Sequence, residues 1–131
     1  MREPQPDVGT LLPAAPFEPL DAAQVTAYAE ASGDRNPIHL DDARARAAGL
    51  PGRIVHGMLI MGQFEAALRA WRPEARILTL QTRFLKPLAV GTAVAVRGRI
   101  AKVEADRIIV RLSVQDGDGA TYCIGDATVA A

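Results

Sequence analysis

The chain has 131 residues, of which 49% are hydrophobic and 23% charged, and its 15 basic and 15 acidic side chains give a formal net charge of zero. This profile is typical of a single globular domain and excludes a disordered chain. Because there is no basic excess, the arginine groups Arg44/Arg46 and Arg97/Arg99 are interpreted as solvent-exposed faces, and no nucleic-acid partner is expected.

Targeting and redox features are sparse. Cys123 is the single cysteine, which excludes an intrachain disulfide and cysteine-pair metal sites and predicts a core position. The N-terminal residues are polar and proline-bearing, and no apolar run reaches the ~18 residues of a membrane span. We therefore expect a cytoplasmic protein without a membrane segment.

The N-terminal part of the chain predicts one edge strand and one helix. Residues 1–7 are expected to form a loose tail, residues 9–13 a short edge strand that ends in proline, and residues 16–19 a stiff connector. Asp21 is the expected N-cap of a helix that runs to about Ser32, where a glycine follows.

A turn and a second short helix follow. Pro37 disfavours helical geometry at Asn36, so the chain must turn there. The next helix is expected to be capped by Asp41 or Asp42 and to end at Gly49.

The segment from Ile54 to Phe64 is apolar on almost every side, which predicts a buried helix that Pro73 ends. A helix of this kind needs covering on nearly every side, which a strongly curved sheet provides. The rest of the chain alternates apolar and polar residues in four strands separated by turn signals, with Gly125 as a possible bulge. The order of elements predicts an α+β fold, with residues 1–131 forming one domain around one long helix.

The residues that can carry chemistry lie in two short stretches. Asp34 and His39 flank Pro37, which is expected to keep both out of regular structure and able to face one cavity. A carboxylate stays ionised near neutral pH and an imidazole can exchange a proton there, so the pair suits acid–base catalysis. Gly57 lies where the apolar helix begins, so its backbone N–H is a candidate oxyanion donor.

Each of these residues also has a structural interpretation. In this interpretation Asp34 is a turn residue without a catalytic role. His39 or His56 is then a hydrogen-bonded structural histidine. Two histidines also raise the question of a metal. No metal is expected, because there is no nearby cysteine, no helical spacing between the two histidines and no evident third ligand.

A family resemblance favours the catalytic interpretation. Ser32-Gly-Asp-Arg-Asn-Pro-Ile-His39 resembles the signature of the MaoC-like, hydratase-2 family, in which Gly-Asp-x-Asn-Pro, an aliphatic residue and His recur together. Ile54-Val-His-Gly-Met-Leu59 resembles the start of that family's central helix, and Arg83-Phe-Leu-Lys-Pro-Leu-Ala-Val-Gly91 its following strand and turn. The chain departs from the pattern at Ala31, a packing position, and at 62–65, where some members carry a serine.

The resemblance implies a hot-dog fold, in which a curved antiparallel sheet wraps a long central helix. It also implies reversible hydration of trans-2-enoyl thioesters to (R)-3-hydroxyacyl thioesters, with no metal or redox cofactor. Asp34 and His39 would activate the water and protonate the α-carbon, although which residue does which is left open. The Gly57 N–H would polarise the thioester carbonyl.

The resemblance also implies substrate contacts and an assembly. Asn36 would support the catalytic loop, and His56 and Met58 would lie beside the substrate. Arg83 and Lys86 are candidates for contacts with the phosphates of coenzyme A or of a carrier's phosphopantetheine arm, with a solvent-exposed face as the alternative. A homodimer that joins two sheets edge to edge, or a higher even oligomer, is expected.

Three rival functions remain open at this point. The chain can be a dehydratase subunit of a fatty-acid or polyketide system that needs a second hot-dog chain. It can also be a non-catalytic subunit that binds acyl thioesters, although that interpretation predicts the loss of Asp34 and His39. A thioesterase is disfavoured because Glu65 is the only carboxylate candidate in the central helix.

Overall fold

The computed structural model describes residues 4–131, which form five strands and four helices. The strands make one antiparallel sheet in the order β1-β3-β4-β5-β2, so the α+β prediction is confirmed. The helices are α1 (Ala22–Ser32), α2 (Pro37–Leu40), α3 (Asp42–Ala47) and α4 (Gly57–Trp71). The strands are β1 (Glu18–Pro19), β2 (Ile77–Phe84), β3 (Ala93–Val103), β4 (Arg107–Asp116) and β5 (Thr121–Ala130).

The long helix α4 packs one face on the sheet and leaves the other exposed. Ile60, Phe64 and Leu68 recur at helical spacing and are at most 3% exposed. Met58, in the first turn, is 61% exposed. The expectation that the sheet covers this helix on nearly every side is therefore wrong for the single chain, and the helix begins at Gly57 rather than at Ile54, which is extended and bridges to Ala89.

Gly125 lies in regular register between Leu112 of β4 and Thr82 of β2, so the predicted bulge there is wrong. A Cβ on Gly125 would lie 2.8 Å from the ring of Phe64 and 2.8 Å from the Gln81 carbonyl oxygen. The glycine thus lets α4 approach β5 closely. The register shifts fall instead at Ile77/Thr79, Ile100/Lys102 and Val114/Gln115.

The edge of the sheet at β3 is covered by two parts of the N-terminal segment. Glu18–Pro19, predicted as connector, is the short strand β1, whereas the predicted strand at 9–13 forms only a bridge from Leu11 to Arg99 with neighbouring backbone hydrogen bonds. The Pro4 carbonyl accepts a hydrogen bond from Arg72 at 2.9 Å. Residues 1–3 of the predicted tail lie outside the described residues.

Local signals placed the first helix correctly. Asp21 caps α1 by accepting a hydrogen bond from the Gln24 N–H at 2.8 Å, and Gly33 ends it with a φ of 79°. Cys123 is fully buried, as predicted, and burial raises the pKa of its thiol to about 11.

Among the described residues, no helix is both long and apolar enough to cross a membrane.

Candidate active site

The loop that carries Asp34 is built from local side-chain hydrogen bonds. Past the end of α1, the Asp34 N–H donates to Ser32 Oγ at 3.1 Å, and Asp34 Oδ1 accepts from the Asn36 N–H at 3.2 Å. Asn36 Oδ1 then accepts from the Ile38 N–H at 3.2 Å and caps α2, whose first residue is Pro37. These contacts occupy one carboxylate oxygen and leave Asp34 Oδ2 free to face His39.

His39 lies on α2 rather than outside regular structure, because the Asn36 cap and Pro37 at the first position favour a helical turn. Its side chain is 9% exposed, and its Nδ1 lies 2.8 Å from the Ile54 carbonyl oxygen. Since a carbonyl can only accept, Nδ1 carries the hydrogen and Nε2 is the nitrogen left to exchange a proton. Nε2 lies 3.8 Å from Asp34 Oδ2.

The spacing of Asp34 Oδ2 and His39 Nε2 suits a small hydroxylic molecule. At 3.8 Å the two atoms are too far apart for a direct hydrogen bond, yet close enough for both to accept from one water. The Asp34 side chain is 53% exposed, so the pair is open to solvent on the carboxylate side. The arrangement can therefore hold a water molecule with an unshared electron pair free for attack.

His56 lies directly behind this pair. It is 2% exposed, and its Nε2 donates to the Asp34 carbonyl oxygen at 2.9 Å. Its ring stacks on that of His39 with centroids 3.8 Å apart, and the Tyr28 ring meets it edge-on at 4.8 Å. Its side chain thus contacts other site residues rather than open space, and His56 Nδ1 has no partner among the described residues.

Gly57 is the first residue of α4, so its N–H belongs to the first turn, whose donors have no partner within the helix. His56 is the N-cap but makes no side-chain capping bond. A Cβ on Gly57 would lie 3.0 Å from the Phe84 ring, which shows that this ring covers the start of α4. The helix dipole adds positive potential at the Gly57 N–H.

Asp34, His39 and His56 also form a group whose possible metal-ligating atoms lie within 4.8 Å of one another. The two imidazole planes are only 21° apart, so their in-plane lone pairs do not converge. As arranged, the three side chains do not fit a shared metal ion.

The structure brings together Asp34, Asn36, His39, His56 and Gly57, but it sets two other predicted residues apart. Arg83 lies on the sheet face opposite α4, and Lys86 lies over the Tyr122 ring with Nζ 4.7 Å from the centroid. Two residues of the site were not predicted from the sequence. Arg53 Nε donates to the His39 carbonyl oxygen at 2.7 Å, and the Phe84 ring covers Gly57. Contacts between distant segments leave no local signal in the sequence.

Two curated proteins are similar in sequence to this chain. A curated relative, the (R)-specific enoyl-CoA hydratase of Aeromonas caviae, is 33% identical over 112 residues, which cover 82% of this chain and 84% of the relative. The mitochondrial 3-hydroxyacyl-[acyl-carrier-protein] dehydratase of Arabidopsis thaliana is 40% identical over 67 residues, 51% of this chain, but that match spans only 40% of the relative.

A solved structure of the (R)-hydratase from A. caviae superimposes with a TM-score of 0.85 at 29% identity, covering 94% of this chain and 95% of that one. This likeness confirms the hot-dog fold. The family model described as MaoC like domain matches residues 5–120, almost the whole chain and all of the residues of the candidate site. The chain therefore belongs to the MaoC-like dehydratase family.

Proposed function

We propose that this protein catalyses the reversible addition of water to trans-2-enoyl thioesters to give (R)-3-hydroxyacyl thioesters. The observation that carries the proposal is the pair of proton acceptors, Asp34 Oδ2 and His39 Nε2, which face each other at 3.8 Å beside the N-terminus of α4. The pair supplies acid–base catalysis, and the helix start supplies the electrostatic stabilisation that an enolate needs.

In the hydration direction, one water donates hydrogen bonds to both acceptors. Its oxygen forms a bond to the β-carbon while the Asp34–His39 pair takes its proton. The double-bond electrons move to the α-carbon and onto the thioester oxygen, which the Gly57 N–H stabilises. A proton from the pair then bonds to the α-carbon, so that the pair returns to its starting state and one water has been consumed.

The supporting residues have positioning roles in this proposal. Asn36 shapes the loop through its cap on α2, and His56 fixes that loop through the Asp34 carbonyl. Met58 is exposed in the first turn of α4 and remains a candidate for contact with the substrate. The assignments of Arg83 and Lys86 to the substrate's phosphates stay predictions.

The substrate class is an acyl thioester of coenzyme A or of a carrier protein. The names of the two curated relatives support both, since one names a CoA thioester and the other a carrier-bound thioester. The second candidate is a dehydratase subunit that needs a partner chain. Such a subunit would catalyse the same reaction in the reverse direction, the loss of water from a 3-hydroxyacyl thioester. A cytoplasmic location likewise stays a prediction.

We further propose a homodimer. β2 pairs with β5 on one side only, so its other edge has unpaired backbone groups. Large apolar side chains on and next to this strand and at the start of α4 are 44–61% exposed: Met58, Leu78, Phe84 and Leu85. A second copy would cover both features. Light scattering should give about twice the 13.9 kDa chain mass, and a monomer at micromolar concentration would contradict the dimer.

The activity is tested with purified protein and a panel of 2-enoyl-CoA thioesters beginning with crotonyl-CoA, in the presence of a chelator. We expect the absorbance of the enoyl thioester to fall and chiral analysis to find the (R) product. A folded protein that is inactive on short, medium and long chains, both as CoA and as carrier thioesters, would instead support the non-catalytic binding subunit.

A further inference from the structure

The sheet face opposite α4 carries a concentration of arginines. Gly125 marks the inner face, because its Cβ would meet Phe64 of α4, so its neighbours on β5 point outward. Arg83, Arg97, Arg99 and Arg111 line one depression of about 630 Å³ on this outer face. We call it the arginine groove.

The charges in the arginine groove are not balanced within the described residues. Arg99 and Arg111 are direct cross-strand partners on β3 and β4, an arrangement of like charges that destabilises a sheet. Asp126 is the one described acid that lines the groove, and it lies 3.5 Å from Arg111 Nε. Arg83 has no ion pair or side-chain hydrogen bond with any residue in 4–131, and neither has Arg99. The groove therefore carries a local excess of positive charge, although the formal net charge of the whole chain is zero.

The groove is also partly pre-organised. The Arg97 guanidinium donates to the Ala15 carbonyl oxygen at 3.2 Å and lies over the Phe17 ring, 4.9 Å from its centroid. The arginines stand on paired strands, so their Cα positions are fixed by the sheet. Gln81, Ser113 and Gln115 add neutral hydrogen-bonding groups, and Leu11 and Ile124 add apolar surface.

We propose that the arginine groove is a binding site for a nucleotide-sized organic phosphate. Guanidinium groups match phosphate oxygens in bidentate pairs, and an anion between Arg99 and Arg111 would relieve their repulsion. The volume falls within the range of about 300–1,000 Å³ that small-molecule sites occupy. The apolar side chains provide surface for a base or ribose.

The groove is separate from the candidate active site, since β2 lies between them. Phe84 points inward to Gly57, whereas Arg83, the preceding residue, points outward to the groove. Two sources can supply the ligand. One is the 3′-phospho-ADP end of a CoA thioester, and for this source the inference rests on the proposed function. The other is a free nucleotide.

The direct test is titration calorimetry of the whole chain with 3′-phospho-ADP and with ADP. We expect one site per chain, an affinity that falls as salt rises, and a loss of about 10- to 100-fold in the double variant Arg99→Gln/Arg111→Gln. The matched control is Arg44→Gln/Arg46→Gln on α3, which removes the same charge elsewhere and should leave binding unchanged. Absence of binding at millimolar ligand, or equal loss in both double variants, would overturn the proposal.

Kinetics separates the two sources. If the groove holds the substrate's nucleotide, Arg99→Gln/Arg111→Gln should raise KM for crotonyl-CoA about 10-fold and leave turnover of crotonyl-pantetheine unchanged. If it holds a free nucleotide, both substrates should behave as in the wild type while 3′-phospho-ADP or ADP binding is lost. The calorimetric test remains valid even if the protein hydrates neither substrate, because it measures nucleotide binding alone. The unfolding midpoint should change little in the double variant, because the like-charge pair is removed together with the exposed ion pair between Arg111 and Asp126.

Discussion

The imidazole of His39 stacks on that of His56, with centroids 3.8 Å apart and planes 21° apart. His56 also donates a hydrogen bond to the carbonyl oxygen of Asp34. The same buried ring therefore supports both members of the proposed catalytic pair, and it uses the backbone of Asp34 rather than the carboxylate. Asp34 Oδ2 and His39 Nε2 both stay available for a water molecule.

Removing the hydrogen bond of His56 should impair positioning more than binding. His56→Phe keeps a ring against His39 but leaves the Asp34 carbonyl without its donor, so we expect kcat to fall about 10-fold, KM to change little, and stability to fall by about 1 kcal/mol. His56→Gln offers an N–H again and should recover part of kcat. Steady-state kinetics and urea unfolding measure both variants. Equal loss of kcat in the two variants would argue against this role.

Gly57 is predicted to tolerate no side chain in the working enzyme. In Gly57→Ala the new Cβ would lie 3.0 Å from the Phe84 ring and occupy the space beside the helix start. We expect kcat/KM to fall about 10²-fold, because a small displacement of the thioester carbonyl is enough for such a loss. Adding Phe84→Leu relieves the contact with the ring. Full recovery of activity in that double variant would show that Gly57 matters only for packing.

Two other glycines should respond in opposite directions to the same substitution. Gly125→Ala places a methyl group against the Gln81 carbonyl and the Phe64 ring, both at 2.8 Å, and should destabilise the protein by about 1–3 kcal/mol. Gly62→Ala lies on the exposed side of α4 with nothing within 4 Å of the new Cβ. It should stabilise the helix by up to about 1 kcal/mol. The unfolding midpoints of the two variants test this difference. A midpoint of Gly125→Ala equal to that of the wild type would show that α4 and β5 do not approach so closely.

The sequence predicted those parts of the fold that local chemistry determines. The cap at Asp21, the glycine after α1 and the alternation of the last four strands are all readable within a few residues. The role of Gly125 was not readable, because the reason for that glycine is a ring 61 positions earlier in the chain. Residues 18–19 likewise look like a connector, and only their pairing with β3 makes them a strand.

The candidate site was predictable to a similar extent. The signature around Asp34 and His39 identified the pair, and the proline turn predicted that both side chains can share one cavity. The one-turn helix under His39 was missed, since the Asn36 cap that favours it looks the same as a turn residue in sequence. The tautomer of His39 depends on the Ile54 carbonyl, which belongs to a distant segment.

In the proposed mechanism Asp34 acts through its carboxylate rather than as a turn residue, and the decisive measurement is kcat of Asp34→Asn. Asn can still accept the hydrogen bond from the Asn36 N–H, so the loop and the unfolding midpoint should barely change. Replacing Oδ2 by an amide removes the proton acceptor 3.8 Å from His39, so turnover should fall by about 10² to 10⁴. His39→Gln should fall by a similar factor, and the double variant should lose little more than either single variant. Retained turnover in a fully folded Asp34→Asn protein would show that Asp34 serves as a turn residue and that the proposed mechanism is wrong.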